Sequence, residues 1–478
     1  MSFWIESWSF ALIAVDWAIR IAMLIYVPQR RPAAAARTWL LLIFLQPILG
    51  LLIYASIGRI YLPKRRLAMQ NRATARIRSA QAQWLGRAKI ELPADIAPEL
   101  FQAVLLARNL GDLGIVDGNE FEFIDDYDET IRRLIADIDA AQCHVHLLFY
   151  IFADDDTGRL VADAVGRAAR RGVNCRVLMD ASGSARGLRK LTPKLRRAGV
   201  SVTAMLPVGI FRRKGARFDL RNHRKIVVID GRIGYAGSLN IANAESQPGL
   251  VNEELVVRME GPIVSQLQVV FLADRYIERE EKIDEPGLFP ESEAAGTAAA
   301  QVLPSGPGYR YANAHKTMVA LIHGAKKRVV ITTPYFIPDD AFVQAMQIAV
   351  LRGAEVHLVV SRQADHRFVH LAQQSFYESL LEAGVKIHLY RPRFLHAKHM
   401  SIDEAVAFVG SSNVDLRSFT LNNEISVLIY DAAVVRKLRK VQERYFADSD
   451  LLTAAEWAQR PLLTRVAQNC ARLADSLL

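Results

Sequence analysis

A layered α/β body made of two tandem copies of one unit, with helices flanking a mixed sheet and two transmembrane helices ahead of it, is the fold class this sequence predicts. Three observations predict it. A short pattern, H-x-K-x4-D followed by G-S-x-N, occurs twice at one common offset: His223, Lys225, Asp230, Ser238 and Asn240, then His396, Lys398, Asp403, Ser411 and Asn413. The segments ahead of each pattern repeat the same order of strand-like and helix-like periodicity. Two long apolar runs open the chain, each of a length that suits a bilayer's hydrocarbon core.

Composition agrees with a duplicated body beside an acidic partner. At 478 residues and 51% apolar content the chain exceeds one ordinary core. A net charge of +10 and a pI near 9.5 call for a negatively charged partner, and both nucleic acid and an anionic membrane qualify. Cys143, Cys175 and Cys470 are scattered, which indicates neither a disulfide framework nor a zinc site.

Residues 1–60 are expected to form a membrane hairpin, with spans over Phe10–Val27 and Thr38–Ile57. A cleavable signal is disfavoured because the start is not basic and Pro28-Gln-Arg-Arg follows in place of small residues. Asp16 and Arg20 stand one helical turn apart, where they can neutralise each other or face a partner helix. Arg30, Arg31 and Arg37 lie between the spans, but the flank from Arg59 to Arg78 is more basic. The heavier flank stays in the cytosol, which predicts cytosolic termini and a cytosolic body. Residues 61–118 read as a basic, helical juxtamembrane connector with Trp84 in it.

The first unit is expected over 119–276: a helix over Asp125–Ala140, a buried strand from His144, a helix over Gly158–Arg171 and a strand from Asn174. Residues 277–309 mix Glu, Ala, Gly and Pro without periodicity and predict an exposed linker. The second unit, 310–450, repeats the order with strands from Arg328 and Glu355 and a helix over Ala341–Leu351. In 451–478, Trp457–Leu478 reads as an amphipathic helix packed on the body. Gly209–Phe218 interleaves Phe with Arg and Lys, a loop suited to a lipid surface, to nucleic acid or to plain solvent.

The residue types of the pattern suit phosphodiester chemistry. In Lys225–Asp230 and Lys398–Asp403 apolar positions alternate as in a strand, so His and Lys of each copy project to one side. A neutral imidazole can attack phosphorus while a second, protonated one gives its proton to the leaving alcohol. Two Lys and two Asn can hold the non-bridging oxygens. That set needs no metal and no cofactor. Opposed protonation of the two rings predicts a bell-shaped rate profile.

These motifs resemble those of the phospholipase D superfamily, and the whole chain is similar to its bacterial cardiolipin synthase branch. The resemblance implies two phospholipase D-like repeats about a pseudo-two-fold with both motifs at their interface. It implies phosphatidyl transfer between two phosphatidylglycerol molecules, giving cardiolipin and glycerol through a phosphatidyl-histidine. By the same analogy His223 is the nucleophile and His396 the general acid, Lys225, Lys398, Asn240 and Asn413 cradle phosphate, and Asp230 and Asp403 orient neighbours. Ser238 and Ser411 either join the phosphate-binding residues, as hydroxyls that the resemblance places near the pocket, or only terminate their strands. An acid after each motif, Glu254 and Glu424, is placed to orient a histidine, although Val251-Asn-Glu-Glu departs from the family's usual Trp-Asp. The implied partners are anionic phospholipid and the bacterial inner membrane, with no nucleic acid. Phospholipase D hydrolysis, phosphatidylserine synthesis and nuclease activity use the same catalytic set and remain alternatives.

Overall fold

The computed structural model describes every residue except 1, 32, 59–61, 63, 86–95, 208–218, 282–284, 286, 292 and 474–478. The aromatic and basic loop expected at Gly209–Phe218 lies outside the described residues.

Runs of Val, Ile and Leu with no polar alternation demand burial on both faces, and they form the centre of the molecule. In chain order the strands of the first unit are β1 (Val116–Ile124), β2 (His144–Phe149), β3 (Asn174–Asp180), β4 (Ser201–Met205), β5 (Ile226–Ile229), β6 (Ile233–Gly237), β7 (Glu245–Gln247), β8 (Leu250–Glu253) and β9 (Val256–Glu260). Those of the second are β10 (Ala298–Ser305), β11 (Arg328–Thr332), β12 (Phe336–Ile337), β13 (Glu355–Ser361), β14 (Lys386–Tyr390), β15 (Phe394–Leu395), β16 (His399–Ile402), β17 (Val406–Gly410), β18 (Val414–Asp415), β19 (Glu424–Tyr430) and β20 (Ser449–Leu452).

Fifteen of them make one continuous sheet in the order β20-β14-β13-β11-β16-β17-β19-β10-β1-β9-β6-β5-β2-β3-β4. Read outward from the β10–β1 junction, the two sides match strand for strand, with β20 added at one edge. The duplication read from sequence is thus a duplication of topology, and the pseudo-two-fold passes between β1 and β10, which pair antiparallel.

That junction corrects two expectations. The segment 277–309 is not all linker, because Ala298–Ser305 is the central strand β10 and every residue of it is buried. Small residues and the absence of alternation disguised it: a strand covered on both faces has no polar side to show. The first unit likewise begins at Val116, ahead of residue 119. The predicted helices appear as Tyr127–Ala140, Asp156–Arg170 and Asp340–Leu351, each with an Asp side chain capping its first turn.

The N-terminal region departs further from expectation. Helix α1 (Ser2–Tyr26) is continuous, but the second apolar run breaks into α2 (Ala33–Leu45) and α3 (Pro47–Ile57). The break falls at Gln46, whose φ of −139° is not helical, immediately before a proline that cannot donate its N–H. Among the described residues no helix is long and apolar enough to cross a membrane. These three helices share a small core of Met23, Val27, Ala36, Trp39, Ile43 and Tyr54, separate from the body. Arg20 makes no ion pair with Asp16; its Nε donates to the Phe44 carbonyl.

The basic connector is held on the body. Helix α4 (Lys64–Leu85) lies along the helix Ile263–Arg279, where Arg66 meets both oxygens of Glu278 at 2.8 Å. At the other terminus the expected single helix is two, Ala454–Ala458 and Leu462–Arg472, divided at Pro461.

Candidate active site

Each motif begins just ahead of a central strand, β5 or β16, and is clamped by the other unit. Asn222 pairs with Asn423, and the His223 N–H donates to the Asn423 carbonyl at 2.8 Å. Reciprocally, β15 runs parallel to β8, and the His396 N–H donates to the Glu253 carbonyl at 2.8 Å. The same crossing carries the side chains. Nδ1 of His223 lies 3.0 Å from the Glu424 carboxylate, and Nδ1 of His396 lies 2.7 Å from that of Glu254. Each unit therefore supplies one imidazole and the acid that orients the other's. A carboxylate only accepts, so each Nδ1 carries the proton and each Nε2 keeps its lone pair.

The lysines complete a single site. Lys225 Nζ donates to the His223 carbonyl at 2.7 Å and Lys398 Nζ to the His396 carbonyl at 2.6 Å. Both ammonium groups are buried. Burial, opposed by Glu424, pushes Lys225 down to about 7, with Lys398 adding to the fall. Burial, opposed by Glu254 and Glu424, brings Lys398 to about 8. Each lysine thus feels carboxylates of both units, which follows only if the two motifs converge. Burial likewise lowers His223, to about 4 against the pull of Glu424, and lowers His396 against that of Glu254. Burial works against the acids too, yet His396, Lys398 and Ser238 hold Glu254 down to about 2, and His223, Lys225 and Ser411 keep Glu424 below the usual carboxylate range. Burial thus lowers both rings from the ordinary imidazole value and both lysines from theirs.

Other predicted residues fall in two groups. Asn240 Oδ1 accepts from the Ile151 N–H at 3.2 Å, beside Tyr150 in the chain, and buried Asn413 Oδ1 finds no donor among the described residues. The serine hydroxyls are engaged within the protein. Ser411 donates to Glu424 and takes the Ile425 N–H at 3.0 Å, while Ser238 takes the Leu255 N–H at 2.9 Å. Both are fully buried behind the acids. Their preceding glycines permit close approach, since a Cβ at Gly237 or Gly410 would strike the carbonyl of Leu255 or Ile425 at 2.4 or 2.2 Å.

Asp230 and Asp403 stand at the far end of their strands, away from the imidazoles. Asp230 accepts from the N–H groups of Gln142, Cys143 and His144, and Asp403 from those of Lys326, Lys327 and Arg328. They fix where β2 and β11 begin and touch no reacting atom.

The sequence reading missed the polar frame beneath the first motif. Fully buried Asp180 accepts from the Asn222 N–H at 2.9 Å and from Arg221 at 3.3 Å. Arg224 pairs with Asp274 and donates to the Glu424 carbonyl at 2.9 Å, fastening the two units. The only signal was a run of polar residues, Arg221 to Lys225, set immediately against the apolar strand Ile226–Ile229. Tyr150 lines the site, its ring 4.9 Å from that of His223. Tyr335 turns to Asp365 and packs on Phe394, 6.2 Å between ring centres.

Comparison with known proteins agrees with this geometry. The family model described as cardiolipin synthase, PLD-like domain, matches residues 134–275 and 318–446. Cardiolipin synthase A of Serratia proteamaculans is 36% identical over 97% of this chain and 96% of its own length. That of Pectobacterium atrosepticum is 34% identical over the same shares. A crystal structure of phosphatidylserine synthase from Haemophilus influenzae aligns with a TM-score of 0.62 at 15% identity, covering 80% of this chain and 100% of that one, which speaks to fold alone. With two such units, a site shared between them and relatives along nearly its whole length, the chain belongs to the cardiolipin synthase family of phospholipase D-like proteins.

Proposed function

We propose that the protein is a phosphatidyltransferase that makes cardiolipin from two molecules of phosphatidylglycerol. The crossed pairing of His223 with Glu424 and His396 with Glu254 carries the reading, because it gives one pocket two oriented imidazoles and two buried ammonium groups. Cardiolipin synthase relatives over nearly the full length support this choice of reaction.

A phosphodiester enters as an anion between Lys225 and Lys398, which hold its non-bridging oxygens, and Asn240 and Asn413 complete the cradle. Its charge favours protonation of His396, whose Nδ1–H is already held by Glu254. Nε2 of His223 then attacks phosphorus, the bond to the glycerol oxygen breaks, and His396 gives that oxygen its proton. The product is a phosphatidyl group on His223 and free glycerol. A second phosphatidylglycerol offers a glycerol hydroxyl, His396 removes its proton, and the oxygen displaces His223. One phosphodiester is exchanged for another, so no nucleotide is consumed.

The apolar N-terminal helices seat the enzyme in the bacterial inner membrane with the body on the cytoplasmic side, where anionic lipid is drawn by the chain's +10 charge. The test is purified enzyme with phosphatidylglycerol alone, without nucleotide or added metal. Cardiolipin and glycerol in equal amounts are expected; phosphatidic acid as sole product makes the protein a hydrolase. Cardiolipin that forms only when phosphatidylethanolamine is added would replace the assigned second substrate.

A further inference from the structure

Resting on the membrane seating proposed above, we infer that α2 and α3 form a re-entrant hairpin that enters and leaves one leaflet. The turn between α1 and α2 then lies on the same side of the bilayer as the catalytic body. A crossing helix over Thr38–Ile57 would put that turn on the opposite side.

Length is the first argument. The 13 residues of α2 and 11 of α3 reach about 20 Å and about 16 Å, short of a hydrocarbon core of about 30 Å but enough to reach its middle. The two helices also lie side by side. A Cβ on Gly50 would sit 2.7 Å from Ile43 Cα, whereas a continuous helix separates residues seven apart by about 10 Å. Glycine at this position lets the two backbones meet. Further from the tip the rings of Trp39 and Tyr54 pack edge to face, 5.2 Å between centres.

Breaking a helix inside lipid strands the carbonyls of its last turn, a cost of several kcal/mol for each one left bare. Arg20 answers this: its Nε donates to the Phe44 carbonyl at 3.2 Å, and its guanidinium lies 5.4 Å from the Trp17 ring. A charge in the middle of an apolar run thus has a role in α1 that a straight second span would not need.

The hairpin's outer surface fits acyl chains below and headgroups above. Leu41, Leu45, Ile48, Leu49 and Leu52, around the tip, are each more than half exposed. Arg30 and Arg37, near the start of α2, are exposed as well and suit anionic headgroups. Helix α4 follows α3 in the chain and is fastened to the body through Arg66 and Glu278. The hairpin's base is therefore tethered to the face on which the body sits.

Sidedness of labelling tests this in the full-length chain, using Ala33→Cys with Cys143→Ser and Cys470→Ser removing the two exposed thiols. Sealed inner-membrane vesicles are treated with a membrane-impermeant maleimide, and Cys470 of the parent chain marks the side of the body. Ala33→Cys is expected to label from the same side as Cys470, and Leu45→Cys at the tip from neither side until detergent is added. Labelling of Ala33→Cys from the opposite side, or of Leu45→Cys from either side, would overturn the hairpin. Gln29→Cys in the same turn repeats the test if Ala33→Cys does not fold. Release of the chain by alkaline carbonate would overturn the membrane seating itself and the hairpin with it, so the two failures are told apart.

Discussion

The two catalytic corners share strands, clamps and chemistry but differ in their walls. Around His223 the wall joins one aromatic ring to cations: the ring of Tyr150 lies 4.9 Å away, Arg221 rests on buried Asp180, and Arg417 reaches across from the second unit to the Asp219 carbonyl. Around His396 it is aromatic, with Phe394 6.2 Å from the imidazole and Tyr335 beside it. The residues that follow the two motifs differ as well. After Asn413 the chain continues Val-Asp-Leu-Arg417, whereas after Asn240 it continues Ile-Ala-Asn-Ala. Duplication preserved the imidazoles, the lysines and the asparagines and let the surroundings separate, which is what a site needs if its two imidazoles take different parts.

The largest expected effects test that division. His223→Ala and His396→Ala should each lower turnover by more than about 10³-fold, the scale of losing a nucleophile or a general acid. They should differ with a donor whose leaving group needs no proton. His396→Ala then still builds a phosphatidyl-enzyme that can be trapped and located by mass spectrometry, and His223→Ala builds none. The reverse pattern would exchange the two roles.

Next in size are the acids, and here the crossing makes an unusual forecast. Glu424→Gln, in the second unit, should impair the first unit's histidine and slow formation of the phosphatidyl-enzyme. Glu254→Gln should impair His396 and spare the intermediate when the leaving group is activated. Each is expected to cost roughly 10²- to 10⁴-fold in turnover, as when an imidazole loses its orienting carboxylate. Single-turnover kinetics separates the steps, and equal effects of both variants on intermediate formation would contradict the crossed assignment.

What was legible in the chain divides along physical lines. Paired motifs at one offset and repeated strand and helix periodicity carried the duplication, the imidazoles and the lysines, because those features are local. The crossing of Glu254 and Glu424 was not legible, since an acid thirty residues from its own motif says nothing about which unit's histidine it meets. Strand β10 was hidden because burial on both faces erases alternation. The second apolar run marks the limit of composition: Thr38–Ile57 has the hydropathy of a span, and its break at Gln46-Pro47 goes with the close approach of α3 to α2 that Gly50 permits.

Smaller effects concern charge. Lys225 is near 7 and Lys398 near 8 in the free enzyme, both below an ordinary lysine. Raising pH through that window discharges the phosphate cradle, so kcat/KM should fall above pH 7 to 8. The acid limb belongs to protonation of His223, near 4. Lys225→Arg, permanently charged, should carry the alkaline limb upward even if its maximum is lower. An alkaline limb unmoved in that variant would take Lys225 out of the profile. Folding carries the matching sign: a lysine lowered in the native state binds fewer protons there than in the unfolded chain, so its burial costs least at high pH.

The smallest effect on catalysis is expected where the halves remain identical. Asp230 and Asp403 each gather three backbone N–H groups at the start of β2 and β11, and both sit in the left-handed region with φ of 53° and 50°. Asparagine tolerates that conformation and keeps one carbonyl acceptor, but it replaces an oxygen that accepts with an amide that donates. Asp230→Asn and Asp403→Asn should therefore each lower stability by about 1 to 3 kcal/mol and leave kcat within about twofold, measured by chemical denaturation beside turnover at a temperature where both variants are folded. A large loss of kcat with unchanged stability would return these aspartates to the chemistry. Loss of stability alone, equal in the two halves, would mark them as the part of the motif that duplication kept for folding, in contrast to the walls where the halves diverged.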